Sequence, residues 1–250
     1  MPAYRYYGWR LERQVRKGPL PHHIGLILDG NRRFAKTLGL SSEIAYEWGA
    51  DKLEEVLDWC WHLGIKVVTV YAFSAENYRR STDEVSKLMA MFERKFREVA
   101  ADERVHRYKI KVKAIGNIDM LPESVRSAIE EAERSTSSYA NYRLNIAVGY
   151  GGRLEIVEAC RKIAEKVERG LVRPSDVDEE MIRTHLYTNG VPDPDLIVRT
   201  SGEERLSGFL LWQSAYSELY FCESYWPEFR KIDFLRAIRT YQQRERRFGG

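Results

Sequence analysis

The chain has 250 residues, 44% of them hydrophobic and 31% charged, with 40 basic against 37 acidic side chains and a net charge of +3. That length can bury a substantial core in one domain or two small ones, and the balance of charge argues against a general nucleic-acid binder. No apolar run is long enough to span a bilayer and the N-terminal stretch lacks the apolar segment of a secretory leader, so the expectation is a cytoplasmic protein with at most peripheral membrane contact.

Tyr4 to Lys17 mixes aromatics with arginines and reads as a short helix, broken by Gly18, Pro19 and Pro21. Residues 1–21 are therefore expected as a helical extension, and 22–250 as the main domain. Ile24 to Leu28 is wholly apolar, as a strand buried on both faces of a parallel sheet would be. "RRFAKTLG" follows as a helix, then Lys52 to Leu63 as another. Residues 66–73 read as a strand and Ser81 to Ala100 as a helix, with Val85, Leu88, Met89, Phe92, Phe96 and Val99 at helical spacing. Residues 109–116 alternate like a strand with one wet face. Pro122 to Arg134 is a helix and 142–152 a strand ending in glycines. Helices at Leu154–Val167 and Asp178–Leu186 come next. Strands at 195–202 and 218–222 then precede a closing helix over Ile232–Arg246.

Strands alternating with helices predict an α/β fold: a single domain with a central, mainly parallel sheet flanked by helices. Ligands of such sheets bind beyond the carboxyl ends of the strands. Those exits carry Asp29, then Phe73–Ser74 with Asn77, then Gly149 to Arg153, then Arg199 to Ser207.

"LILDGNRR" places Asp29 at the end of a buried strand, Gly30 at a close turn, and Asn31 where it can cap the next helix. Free amides at a helix start, with Arg32 and Arg33 beside them, form an anion site. A carboxylate beside an anion site makes sense if Mg²⁺ lies between it and a substrate phosphate. A simple helix cap with solvated arginines reads the same stretch as well. "RTSGEERLS" offers Arg199, Arg205 and Ser207 for a diphosphate, since guanidinium groups contact phosphate oxygens bidentately. A surface loop with ion pairs to Glu203 and Glu204 is the alternative. Ser74, Asn77 and Arg80 follow a third strand, and Glu218 stands at the mouth of another. Several coincident anion-binding strand ends outweigh any one alone. A P-loop, a G-x-G-x-x-G turn, a zinc spacing and a second acid after Asp29 are missing. Cys60, Cys160 and Cys222 lie far apart in apolar settings and read as buried free thiols.

The blocks "HHIGLILDGNRRFA", "YAFSAENYRR", "RLNIAVGYGGR", "DLIVRTSGEERLSGFLLWQSAYSELYF" and "RERRFGG" resemble, in order, those of the cis-prenyltransferases, whose best-known type is undecaprenyl diphosphate synthase. The resemblance runs from His22 to Gly250 and has an archaeal flavour. It implies a Mg²⁺-dependent enzyme that adds isopentenyl diphosphate repeatedly to an allylic diphosphate such as farnesyl or geranylgeranyl diphosphate, giving a cis-polyprenyl diphosphate that serves as a carrier-lipid precursor. It implies catalytic roles for Asp29 and Asn77 and metal binding by Asp29 and Glu218. Gly30, Asn31, Arg32, Arg33 and Phe34 would hold the allylic diphosphate. Arg199, Arg205 and Ser207 would hold isopentenyl diphosphate. Phe73, Ser74, Tyr78 and Arg80 would line the region between, and Arg247 and Gly249 would reach the site of a second copy in a homodimer. The growing chain needs an apolar tunnel, for which the stripes at 52–63 and 81–100 are candidates; Met89, Met91, Phe92 and Phe96 read equally well as core, and Trp59 and Trp61 as core or a membrane-facing mouth. Ser42 and Tyr46 depart from the family, which often has a basic residue and a histidine there. A non-catalytic subunit supporting a partner enzyme is the competing reading. A trans-prenyltransferase, which is all-helical with paired D-D-x-x-D motifs, and a phosphate-ester hydrolase are disfavoured.

Overall fold

The computed structural model describes residues 2–244, with side chains from residue 6 onward. Its elements in chain order are α1 (Pro2–Val15), β1 (His23–Ile27), α2 (Asn31–Thr37), α3 (Ser42–Leu63), β2 (Val67–Ser74), α4 (Thr82–Ala101), α5 (Glu103–Tyr108), β3 (Ile110–Ile115), α6 (Glu123–Ser135), β4 (Tyr142–Tyr150), α7 (Gly152–Glu168), α8 (Glu179–His185), β5 (Leu196–Arg199), β6 (Glu218–Phe221) and α9 (Lys231–Gln243). The six strands form one sheet in the order β3-β4-β2-β1-β5-β6, and every pairing is parallel.

Burial follows from that order. Central β1 is buried at all five positions, as its unbroken apolar run requires. Edge strand β3 alternates over its first four residues, so the wet face expected of it is present. β1 lies between β2 and β5, and the chain builds outward from it in both directions. The crevice between the ends of β1 and β5 is therefore the topological switch point at which such sheets bind ligands.

Two helices differ from the sequence reading. α3 begins at Ser42 rather than Lys52, because Gly49 interrupts the apolar stripe that would announce it. The glycine is needed there: a Cβ would lie 2.4 Å from Asn31 Oδ1 and 3.2 Å from Trp226 Cδ1. Trp226 Nε1 also donates to the Gly49 carbonyl at 2.7 Å. α5 is only six residues long, too short for periodicity to reveal, and is started by the Asp102 carboxylate accepting from the Arg104 amide. α4 begins as read, with Ser81 Oγ accepting from Glu84 N and acids in its first turn.

α1 packs against α9, and its Leu11 and Val15 are buried in the largest apolar cluster, so the N-terminal helix is part of the same core rather than an appendage. α3 belongs to that cluster, whereas α4 and α6 form a second one with Phe73 and Val148. Trp61 is core, packed on Tyr108 and Tyr142, and Trp59 packs on Phe234. Cys60 and Cys222 are buried, but Cys160 is exposed on α7, where the apolar setting of the sequence wraps around the helix to its wet side. Among the described residues no helix is long and apolar enough to cross a membrane.

Candidate active site

Asp29 stands just past the end of β1, after Leu28. Its Oδ2 accepts from Arg199 Nη2 at 2.8 Å and from Arg33 Nη2 at 3.3 Å. Burial pushes the Asp29 carboxyl up, but Arg199, Ser201 and Arg33 outweigh it and hold the group below the usual carboxylate range. Asp29 is thus an anion clasped by two cations from the two strand exits at the switch point.

Gly30 makes the turn possible. Its φ is +104°, and a Cβ there would lie 2.7 Å from Tyr225 Cδ1. Gly30 is also the residue that starts α2, so Asn31 is not the cap: it is the first helical residue, and its Nδ2 donates to the Leu28 carbonyl at 3.0 Å. Its Oδ1 is buried without a partner, as is Nε of Arg199. Unpaired buried polar atoms are costly in a finished interior and are natural where a polar ligand completes the site.

The loop after β5 supplies the other half. Arg199 Nη1 donates to Ser207 Oγ at 2.8 Å and to the Arg205 carbonyl. Arg33 donates to Ser201 Oγ at 2.6 Å and to Glu203 at 2.9 Å, and Arg205 pairs with Glu203. Thr200 Oγ1 donates to the Asp29 carbonyl at 2.7 Å, tying the two exits together. Ser201, Ser207 and Leu210 all have positive φ, as do Gly202 and Gly208. Left-handed backbone at non-glycine residues costs about 1–3 kcal/mol each and gathers at ligand sites.

At the β2 exit, Asn77 Oδ1 accepts from the Ser74 amide at 3.0 Å. Arg80 Nη1 donates to Tyr46 Oη at 2.9 Å and to Glu84 Oε1 at 3.1 Å, and Tyr46 Oη donates to the same Glu84 oxygen at 2.6 Å. Arg32 Nε lies 3.7 Å from that oxygen. The sequence reading missed this cluster as a unit. Tyr46 stood only as a departure from a pattern, and Glu84 was not singled out.

These groups surround the mouth of a cavity of about 840 Å³. Asp29, Asn31, Arg33, Ser74, Asn77, Arg80, Arg199, Arg205 and Ser207 line it above; Leu53, Leu57, Leu88, Met91, Phe92, Phe96, Val99, Leu144 and Ile146 line it below. Met91, Phe92 and Phe96 thus face the cavity, while Met89 belongs to the α4–α6 core.

Some expected site residues lie elsewhere. Phe34 is buried against Ala35, Ala45 and Trp48, and Phe73 is core beneath Tyr78 and Phe92. Tyr78 is half-buried behind the cavity wall, its hydroxyl unpartnered. Glu218 is displaced most. It is the first residue of β6, in register with Leu196, so within one chain it sits at the opposite end of the sheet from Asp29, ion-paired to Arg244 at 2.5 Å. Arg247 and Gly249 lie outside the described residues.

A family model described as "Putative undecaprenyl diphosphate synthase" matches residues 27–249. The chain belongs to the cis-prenyltransferase family. It is 54% identical over 248 residues to a geranylgeranyl-diphosphate-specific tritrans,polycis-undecaprenyl-diphosphate synthase of Methanopyrus kandleri, covering 99% of this chain and 92% of that one. It is 56% identical over 241 residues to the enzyme of the same description from Methanocaldococcus jannaschii, covering 96% and 86%. Among solved structures, lavandulyl diphosphate synthase from Lavandula x intermedia in complex with dimethylallyl diphosphate superposes with a TM-score of 0.89 at 40% identity, over 92% of this chain and 99% of that one. A probable undecaprenyl diphosphate synthase from Campylobacter jejuni gives 0.74 at 30% identity, over 93% and 99%. The archaeal flavour of the sequence agrees with its relatives. The chain is a prenyltransferase of the cis-polyprenyl type, and its substrate class is the diphosphates of that family.

Proposed function

We propose that the protein elongates geranylgeranyl diphosphate by repeated cis addition of isopentenyl diphosphate, ending at an undecaprenyl-length diphosphate. The observation that carries this reading is the joining of a strongly cationic mouth to an apolar cavity of about 840 Å³, at the large end of the roughly 300–1,000 Å³ of small-molecule sites. The primer and the product length are those named for the archaeal relatives.

In each cycle the C1–O bond of the allylic diphosphate breaks and diphosphate leaves. The isopentenyl double bond attacks C1, and the departing diphosphate takes the proton lost from isopentenyl C2 as the new cis double bond forms. Arg33, Arg80 and the α2 amides hold the leaving diphosphate; Arg199, Arg205 and Ser207 hold the other. Cations aimed at departing charge, already in place before reaction, lower the barrier most. Asn77 and Ser74, at the β2 exit between the two, orient the reacting atoms. Holding both reactants in line also removes much of the entropic cost.

Asp29 fits a divalent cation. It is ionised, faces the anion cradle and, among the described residues, has no cluster of three acidic, histidine or cysteine ligands around it. That donor set suits Mg²⁺, which takes one or two carboxylates and completes its shell with water and substrate phosphate. Bound there, the ion would neutralise diphosphate charge. Glu218 is left out of this site within its own chain. A homodimer, a cytoplasmic setting with peripheral membrane contact, and use of the product as a carrier-lipid precursor complete the proposal.

The test is incorporation of labelled isopentenyl diphosphate with dimethylallyl, geranyl, farnesyl and geranylgeranyl diphosphates, followed by sizing of the products. Preference for geranylgeranyl diphosphate and a product of undecaprenyl size are expected. Equal use of all four, or arrest after one addition, would remove the specific reading.

A further inference from the structure

α1 has two faces of opposite character. Leu11 and Val15 are buried in the core and Tyr7 packs against it, which pins the helix in place. Tyr6, Trp9, Arg10 and Arg13 stand exposed on the other side, one stripe at helical spacing, and Arg16 and Lys17 continue it past the helix end. Tyr6 is 63% exposed and Trp9 54%. Their ring centroids are 6.0 Å apart, and the Arg13 guanidinium carbon lies 4.7 Å from the centre of the Trp9 ring. The indole is thus held out beside a cation instead of folding onto the core.

The charge on this stripe is of one sign. Tyr4 to Lys17 holds five basic residues and one acid, in a chain whose net charge is only +3. That acid, Glu12, is already engaged by Arg16 at 2.8 Å and by Lys231 at 2.8 Å. Among the described residues Arg10, Arg13 and Lys17 pair with no acid. Aromatic rings settle at the headgroup level of a bilayer, and each cation close to an anionic lipid surface adds to the attraction. Trp48, 44% exposed on α3, makes the contrast. It packs on Phe34, and Glu43, Glu47 and Asp51 are its neighbours along the helix, so anionic headgroups would be repelled there.

We propose that the outer face of α1 is a lipid-docking surface: Tyr6 and Trp9 enter the headgroup layer of an anionic bilayer, and Arg10, Arg13 and Lys17 lie against its phosphates. This names the element that makes the peripheral membrane contact of the proposed function, and it rests on that reading, in which primer and product both carry long apolar chains. α1 lines no part of the cavity, so docking and chemistry are separable by mutation.

Co-sedimentation of the full chain with lipid vesicles tests it. Vesicles of phosphatidylcholine alone are compared with vesicles of phosphatidylcholine and phosphatidylglycerol, at low and high salt. Binding to the anionic vesicles is expected, weakened by salt as exposed charge contacts are. Arg10→Glu/Arg13→Glu should weaken it at least about thirtyfold, the worth of two cations at such a surface. Trp9→Ala should weaken it about tenfold, the worth of one large apolar side chain. All three side chains are exposed, so melting temperatures should stay at the native value, as should incorporation of labelled isopentenyl diphosphate in solution. Failure of the native protein to sediment with the anionic vesicles, or equal sedimentation of the variants, would overturn the docking face. A change of oligomeric size in Trp9→Ala would overturn it too, by making the stripe a contact between copies of the chain. Vesicle binding without any isopentenyl diphosphate incorporation would overturn the elongation reading and leave the docking face standing.

Discussion

Tyr46→Phe removes one oxygen from the allylic side of the site and nothing from the other. Its hydroxyl donates to Glu84 at 2.6 Å and accepts from Arg80 at 2.9 Å, so it fixes the guanidinium relative to the carboxylate. A hydrogen bond to a charged group contributes about 1.5–3 kcal/mol. Arg80 keeps its own pairing to Glu84 at 3.1 Å, so part of its aim survives. A net loss of about 1.4 kcal/mol, tenfold in affinity, is the expected cost for the allylic diphosphate. Arg199, Arg205 and Ser207 touch neither Tyr46 nor Glu84, so KM for isopentenyl diphosphate should not move. Steady-state kinetics with each substrate varied separately reads this directly. An equal rise in both KM values, or no change in either, would refute the division of the mouth into two diphosphate sites.

Other outcomes follow from the fold around the site. His23 is buried, with Nδ1 donating to the Pro192 carbonyl at 2.7 Å and Nε2 accepting from Thr69 at 2.8 Å. Burial lowers its pKa from 6.5 to about 4. The unfolded chain binds the extra proton between those values, so stability is full above pH 6.5 and falls as pH drops toward 4, by about 3 kcal/mol at ~1.4 kcal/mol per unit. Urea unfolding at pH 7 and pH 4 measures the difference, which His23→Gln should shrink; an equal pH dependence in both proteins would contradict the assignment. Gly49→Ala should cost about 1–3 kcal/mol, since its Cβ meets Asn31 Oδ1 at 2.4 Å, and should raise KM for the allylic diphosphate as Asn31 is pushed aside. Thermal unfolding and kinetics together check it: an undisturbed melting temperature would mean that Asn31 and Trp226 both yield freely to the added methyl.

Much of this site was legible because strand exits are marked in sequence. Apolar runs ending in Asp29, Ser74 and Arg199 could be placed on a parallel sheet, and the sheet then fixed where they converge. Glu218 shows how the same logic was misapplied. It opens "ELYF" rather than closing it, and in an all-parallel sheet the first residue of a strand lies at the far end from every exit. Phe34 and Phe73 sit inside motif blocks, yet they are buried against Trp48 and Phe92, because a block of residues is kept together by packing as well as by chemistry. The Tyr46–Arg80–Glu84 cluster was invisible for another reason. It joins α3 to α4 across the cavity, and Gly49 concealed that α3 reached so far.

If one carboxylate, Asp29, organises diphosphate chemistry at the crevice between β1 and β5, elongation must fail without it. The direct measurement is labelled isopentenyl diphosphate incorporation into geranylgeranyl diphosphate by the native protein and by Asp29→Asn, each with Mg²⁺ and with EDTA. The prediction is elongation by the native protein only with Mg²⁺, and loss of at least about a hundredfold in the variant, the scale of removing one preorganised charge-stabilising group. Elongation by Asp29→Asn at the native rate would contradict it.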